Sequence, residues 1–289
     1  METEPHTSKQ NFARAVRCPD EEIDLAAASL YAVSHEHPDL DVIAYRGKIA
    51  QLGMRVKSKL PLQFDDYEFV STMHEVLFDE VGLAGSTKDY FNPKNSHLNE
   101  LIESLHGNPV TMSILYMEVA RSAGMEVDGV SLRRHFVVGI GSGEERLYVD
   151  PFHGGGLLSR KECLTMIVGK DRISDLDLDS LEKKLLAPVG RKAVLRRLLG
   201  NLKVAHEKHK NYELALEAAE RVQLLEPSNL RNLSELAHLQ TKVGHFGDAV
   251  NSLTKFLAQA PADANTEQAE SALRKLKALT ARENQDSSS

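Results

Sequence analysis

The feature that most constrains this chain is a self-similarity in its C-terminal third. Tyr212 and Phe246, Ala215 and Ala249, Val222 and Phe256, and Pro227 and Pro261 are each separated by 34 positions. A fixed period of that size means that one supersecondary unit is repeated, and that each unit buries its apolar face only against a neighbour. An aromatic residue, an alanine, a further apolar residue and a proline thus recur in register, once per period. The spacing predicts two helical-hairpin units. One covers 196–229, with Leu199 and Leu202 in its first helix; the other covers 230–263, with Leu233, Leu236 and Gly244. Such stacks usually need about three units, so flanking helices around Lys192 and over 267–281 are expected to complete this one.

The N-terminal half carries a different pattern. Asp20 is positioned to cap the apolar-periodic run Ile23, Leu25, Ala26 and Leu30, which stops before Pro38. Further helices are predicted over 42–54 and 67–81, the second with Phe69, Met73, Val76 and Leu77 on one face. Turn residues Asn92 to Ser96 precede a short helix through Leu98, Leu101, Ile102 and Leu105, ending near Gly107. Asn108-Pro109 then opens an almost uniformly apolar helix, Val110 to Ala123, which is expected to be buried. After Gly124 the text turns to strands: Val127 to Leu132, His135 to Ile140 and Arg146 to Asp150, the last two joined by the turn Gly141 to Glu145. Asp150-Pro151-Phe152-His153-Gly154-Gly155-Gly156 is read as a loop leaving the sheet, and 159–168 as a helix. The result is an α+β domain over 1–168, a polar linker over 169–188, an all-α repeat domain over 189–282 and a disordered tail over 283–289.

Composition narrows the function classes. A net charge of −7 over 289 residues supplies no concentrated basic face, so no nucleic-acid partner is expected. No run approaches the about 18 apolar residues that span a bilayer, and the first residues lack the apolar core of a signal peptide; a cytoplasmic location with no membrane partner is expected. Cys18 and Cys163 are read as reduced thiols. No cofactor and no metal are expected. A calcium loop starting at Asp175 would need glycine where Ser180 stands and glutamate where Leu186 stands. His35-Glu36-His37, and His206 with His209, lack the spacing or the further ligands of a metal site. His153 to Gly156 is not an oxyanion loop of a lipase, because no Gly-x-Ser-x-Gly elbow accompanies it, yet its glycines can bring backbone amides close to an anionic or carbonyl ligand. The densest basic cluster, Arg191, Lys192, Arg196, Arg197 and Lys203, suits an acidic partner or the acidic linker of the chain itself.

Two family resemblances follow. The 34-residue units resemble tetratricopeptide repeats, which implies a concave groove lined by Arg197, Val204, Arg231 and His238 and occupied by a protein or peptide partner. Gly200 and Val204 stand where the clamp for a terminal carboxylate would have Lys and Asn, so that mode is not expected. Gly107-Asn108-Pro109-Val110, Gly124, His135-Phe136 and Tyr148-Val149-Asp150-Pro151 resemble the transglutaminase-like, papain-related superfamily. There a Cys opens a buried helix, a His on the next strand activates it and an Asp orients the His, because a helix N-terminus and an oriented imidazole together favour the thiolate. His135 and Asp150 match the second and third roles. The first falls on Pro109, which has no thiol. Asn95-Ser96-His97-Leu98-Asn99, together with Asp150-Pro151-Phe152-His153-Gly154-Gly155, is similar more particularly to bacterial SirB-type proteins, which also continue into a repeat domain. The missing thiol and the attached repeat groove point to a pseudoenzyme acting in protein interaction or regulation. His135 and Asp150 would be a relic dyad, and Asn108, His153, Gly154 and Gly155 would contact a ligand. The alternative is an acyl-transfer or hydrolytic enzyme whose nucleophile has moved to Cys163, Thr111 or a water.

Overall fold

Side-chain caps set the starts of the early helices in the computed structural model, which describes residues 7–169, 178–261 and 265–286. Helix α1 (Ser8–Ala15) begins with a Thr7/Gln10 capping box, α2 (Leu25–Val33) with Asp24, α3 (Val42–Lys59) with Asp41, and α4 (Asp66–His74) with an Asp65/Glu68 box. Each side-chain oxygen takes backbone N–H groups that a first turn leaves unpaired. Asp24, not Asp20, therefore caps α2. Asp20 lies in a 3-10 turn, and its carboxylate accepts hydrogen bonds from the backbone amides of Arg191 and Lys192 at 2.8 and 2.7 Å. The helix predicted over 42–54 runs on to Lys59, and that predicted over 67–81 is α4 followed by a π-helical turn, Glu75–Glu80.

The chain forms two units, Met1–Leu198 and Leu199–Ser289. In the first, α5 (Leu98–Ser104) stops because Leu105 turns left-handed at φ +62, earlier than the Gly107 expected. Two short parallel strands follow from this turn, β1 (Ala84–Gly85) and β2 (His106–Gly107). Helix α6 (Pro109–Ala123) is buried along nearly its whole length and ends at Gly124, whose φ of +95 a Cβ would oppose. It packs closely on α3. A Cβ built on Gly53 would fall 2.3 Å from the Ser122 Cβ and 2.9 Å from the Val119 carbonyl oxygen.

The main sheet is antiparallel in the order β3 (Asp128–Leu132), β4 (His135–Ile140), β5 (Leu147–Asp150), β6 (Gly156–Leu158). The last strand corrects the expectation of a loop. Gly154 and Gly155, at φ +75 and +71, reverse the chain, so that Leu158 comes back opposite Tyr148. Helix α7 (Arg160–Val168) starts from a Ser159/Glu162 capping box. Cys163 and Leu164 pack with Val130, Leu132, Val137, Tyr148 and Leu186 in a buried cluster. Helix α8 (Leu178–Leu185) lies within the stretch read as linker. Of the calcium-loop stretch starting at Asp175, 175–177 lie outside the described residues, while Ser180 lies on α8 and Leu186 directly follows it.

The unit boundary falls within α9 (Arg191–Lys208). The second unit continues through α10 (Tyr212–Leu225), α11 (Leu230–Lys242), α12 (Phe246–Gln259) and α13 (Glu267–Asp286). One cluster joins Ala215, Leu216 and Ala219 of α10 to Leu233, Leu236 and Leu239 of α11; the next joins Ala237, Ala249 and Leu253 to Leu276 of α13. Lys210 and Gly244, one repeat apart, both sit at positive φ, +62 and +81. The turns around them close with matching bonds, Asn211 N–H to His206 O at 2.9 Å and His245 N–H to Gln240 O at 2.8 Å. The stretch read as a tail begins inside α13, and 287–289 lie outside the described residues. Among the described residues no helix is long and apolar enough to cross a membrane. The architecture is α+β followed by all-α.

Candidate functional site

Hairpin register brings the first two site residues together. Val138 lies opposite Val149, so the ladder carries Asp150, at the end of β5, toward the start of β4, where His135 is its diagonal neighbour. His135 Nε2 is 2.8 Å from Asp150 Oδ2. Immediately after Asp150, Pro151–His153 forms a single 3-10 turn capped by the same carboxylate: Oδ1 accepts hydrogen bonds from the backbone amides of Phe152 and His153 at 3.1 and 3.3 Å. That turn folds His153 back, placing its Nδ1 2.7 Å from Asp150 Oδ2. Asp150 is 2% exposed and His153 is 64% exposed, so the cluster runs from the core to solvent.

Burial by itself would raise the Asp150 pKa. The hydrogen bonds and positive charge of His135 and His153 overcome that and hold the carboxyl below the usual aspartate range. The turn is held by close packing on both sides. A Cβ on Gly85 would meet the Phe152 carbonyl oxygen at 2.4 Å, and one on Gly155 would meet the Phe78 ring at 2.3 Å. The Phe152 ring stands edge-on to both His135 and His153, with centroids 6.0 and 5.0 Å away.

The motif residues around the helix start also meet. Asn108 caps α6, its Oδ1 accepting from Thr111 N–H at 3.0 Å and from the Thr111 hydroxyl at 3.1 Å, while its Nδ2 donates to Ser96 Oγ at 2.8 Å. Asn108 N–H donates to the Asn95 carbonyl at 3.0 Å, tying the two motif stretches together. Gly155 N–H donates to the Asp150 carbonyl at 2.8 Å, inside the turn, and Gly154 supplies the chain reversal. Cys163 is wholly buried in its apolar cluster, where burial first and the Asp150 charge second push the thiol up to about 12. Along the repeat helices, Val204, Arg231 and His238 are exposed and Arg197 is half-buried. Arg231 pairs with Glu235 at 3.1 Å, and Lys203 pairs with the same carboxylate.

Sequence reasoning placed His153 among ligand contacts but not beside Asp150. The available signal was the three-residue spacing across Pro151, which a 3-10 turn closes. It also passed over Glu118, a carboxylate on the uniformly apolar α6. Glu118 is buried, 2.5 Å from Arg121, and faces a cavity of about 500 Å³ with Asp20, Met117, Arg121 and Arg191. Burial raises its pKa, against the pull of Arg121.

Comparison with known proteins gives these arrangements a family. Residues 43–200 match the transglutaminase-like superfamily and residues 202–274 the tetratricopeptide repeat. The chain therefore belongs to the transglutaminase-like superfamily and carries tetratricopeptide repeats after that domain. Among curated proteins it is similar to a UPF0162 protein of Xylella fastidiosa (strain 9a5c), with 30% identity over 256 residues, covering 86% of this chain and 88% of that protein. It is also similar to human F-box only protein 21, 27% identical over 191 residues, which are 63% of this chain and 27% of that protein. A solved structure of menin aligns over 85% of this chain and 68% of its own, at 12% identity and a TM-score of 0.42.

Proposed function

We propose that this chain is a non-catalytic transglutaminase-like protein that acts in protein interaction or regulation, with its repeat helices holding a protein or peptide partner. The observation that carries this reading is at the start of α6. The position matching the superfamily nucleophile is Pro109, the nearby Thr111 hydroxyl is engaged by Asn108, and the Cys163 thiol is sealed among apolar side chains and held protonated. In this reading His135 and Asp150 are a relic dyad, and Asn108, His153, Gly154 and Gly155 border a ligand position rather than a reacting bond. The finer assignment to SirB-type proteins rests on the Asn95–Asn99 and Asp150–Gly155 motifs. Exposed Arg231, Val204 and His238, with Arg197, are the residues assigned to the partner groove.

The test compares quantitative crosslinking of partners to the wild-type chain, to Arg231→Glu/His238→Glu and to His135→Ala. The reading expects a partner that is lost at least tenfold in the repeat variant and kept in His135→Ala, on the order of 1.4 kcal/mol of binding free energy. Turnover of ester or amide substrates that disappears in His135→Ala would overturn it and establish an acyl-transfer or hydrolytic enzyme.

A further inference from the structure

We propose that His135, Asp150 and His153 form a binding site for a divalent transition-metal ion of zinc type. Two imidazole nitrogens and a carboxylate oxygen, His135 Nε2, His153 Nδ1 and Asp150 Oδ2, lie within 4.8 Å of one another. Nitrogen-rich donor sets of this kind select ions such as Zn²⁺, Co²⁺ or Ni²⁺, whereas Ca²⁺ and Mg²⁺ demand oxygen ligands.

The cluster is built rather than a chance meeting of surface histidines. Asp150 is almost fully buried, and its Oδ1 is occupied by the backbone amides of Phe152 and His153. Those bonds fix the carboxylate plane and leave Oδ2 facing the two rings, the outer-shell support that orients a ligating carboxylate. Both rings converge on that one oxygen at 2.8 and 2.7 Å. A tetrahedral ion with bonds of about 2.0–2.2 Å spaces its ligand atoms about 3.3 Å apart, so each ring needs to withdraw by roughly half an ångström. The His153 ring has that freedom, being 64% exposed on a turn that three glycines follow. Ion binding also asks each ring to carry its proton on the nitrogen facing away from Asp150. Three protein ligands leave a fourth position open on the solvent side of His153 for water or an anionic group.

The experiment titrates the full-length, chelator-treated protein with Zn²⁺ by calorimetry and with Co²⁺ by absorption spectroscopy, in parallel with Ca²⁺. The expected result is one saturable equivalent of Zn²⁺, ligand-field bands with Co²⁺ and no heat with Ca²⁺. His153→Ala, whose exposed ring can be removed with the fold intact, should weaken Zn²⁺ by at least about tenfold, whereas truncating the exposed His106 should leave it unchanged. His135→Ala should match His153→Ala. Absence of saturable Zn²⁺ binding, equal affinity in wild type and His153→Ala, or preference for Ca²⁺ would each overturn the site.

Discussion

Asp150 does more than one job with four lone-pair directions. One oxygen caps the turn that follows β5, and the other holds two imidazoles, so removing the carboxylate leaves two amides and two rings without their acceptor. Asp150→Ala should cost about 3 kcal/mol at pH 7, the scale for breaking a buried charged network on one side. The sign with pH follows from its lowered pKa. A carboxyl held below its unfolded value contributes stability that is complete above about pH 4 and is lost as pH falls through the depressed folded value. The gap between wild type and Asp150→Ala in urea unfolding should therefore shrink as pH falls below about 4 and the Asp150 carboxylate is protonated. A gap that stayed constant or widened over that acid range would contradict this account.

At the scale of elements, the repeat turns show what a period can hide. Gly244 occupies its left-handed position without penalty, but the equivalent residue one repeat earlier is Lys210, at φ +62. The matching hydrogen bonds around both turns mean that the backbone shape is required by the helix pair, whichever side chain it receives. A non-glycine residue there carries about 1–2 kcal/mol of strain, partly offset by the smaller entropy it loses on folding. Lys210→Gly is expected to raise stability by about 0.5–1 kcal/mol, read as a higher urea midpoint with unchanged slope; a lower midpoint would show the turn to be unstrained. The same limit on legibility appears at the hairpin between β3 and β4. Leu132 pairs with His135 across Arg133-Arg134, with Arg134 at φ +62 and no glycine or asparagine to announce the turn. The strands were readable from their apolar content, yet the return strand β6 was not, because its three residues follow a run of Pro and Gly that argues against a ladder.

At the scale of the molecule, two repeat units persist because a further helix covers their open end. Leu276 of α13 is 4% exposed and packs with Ala237, Ala249 and Leu253, while Ala269, Ala272 and Leu273 border the same cluster. Leu276→Ala should cost about 3 kcal/mol, the usual range for emptying a buried leucine site. A chain ending after Gln259 should lose the cooperative unfolding of the repeat helices, followed by circular dichroism against urea. A Leu276→Ala midpoint indistinguishable from wild type would remove the capping role. The domain order is an α+β domain of transglutaminase-like type followed by helical repeats.

Local physics, written in the sequence, determined the helices and their apolar faces, the repeat period and the buried α6. Periodicity and fixed spacing act along the chain and need no distant contact to be read. Tertiary structure alone decided that Asp20 caps a helix 171 residues away, that Gly53 is the contact point of α3 with α6, and that Cys163 is sealed in a core. Each of these depends on which surfaces meet in space and on how water is excluded between them, and neither burial nor a hydrogen bond between remote groups leaves a mark on the spacing of residues along the chain.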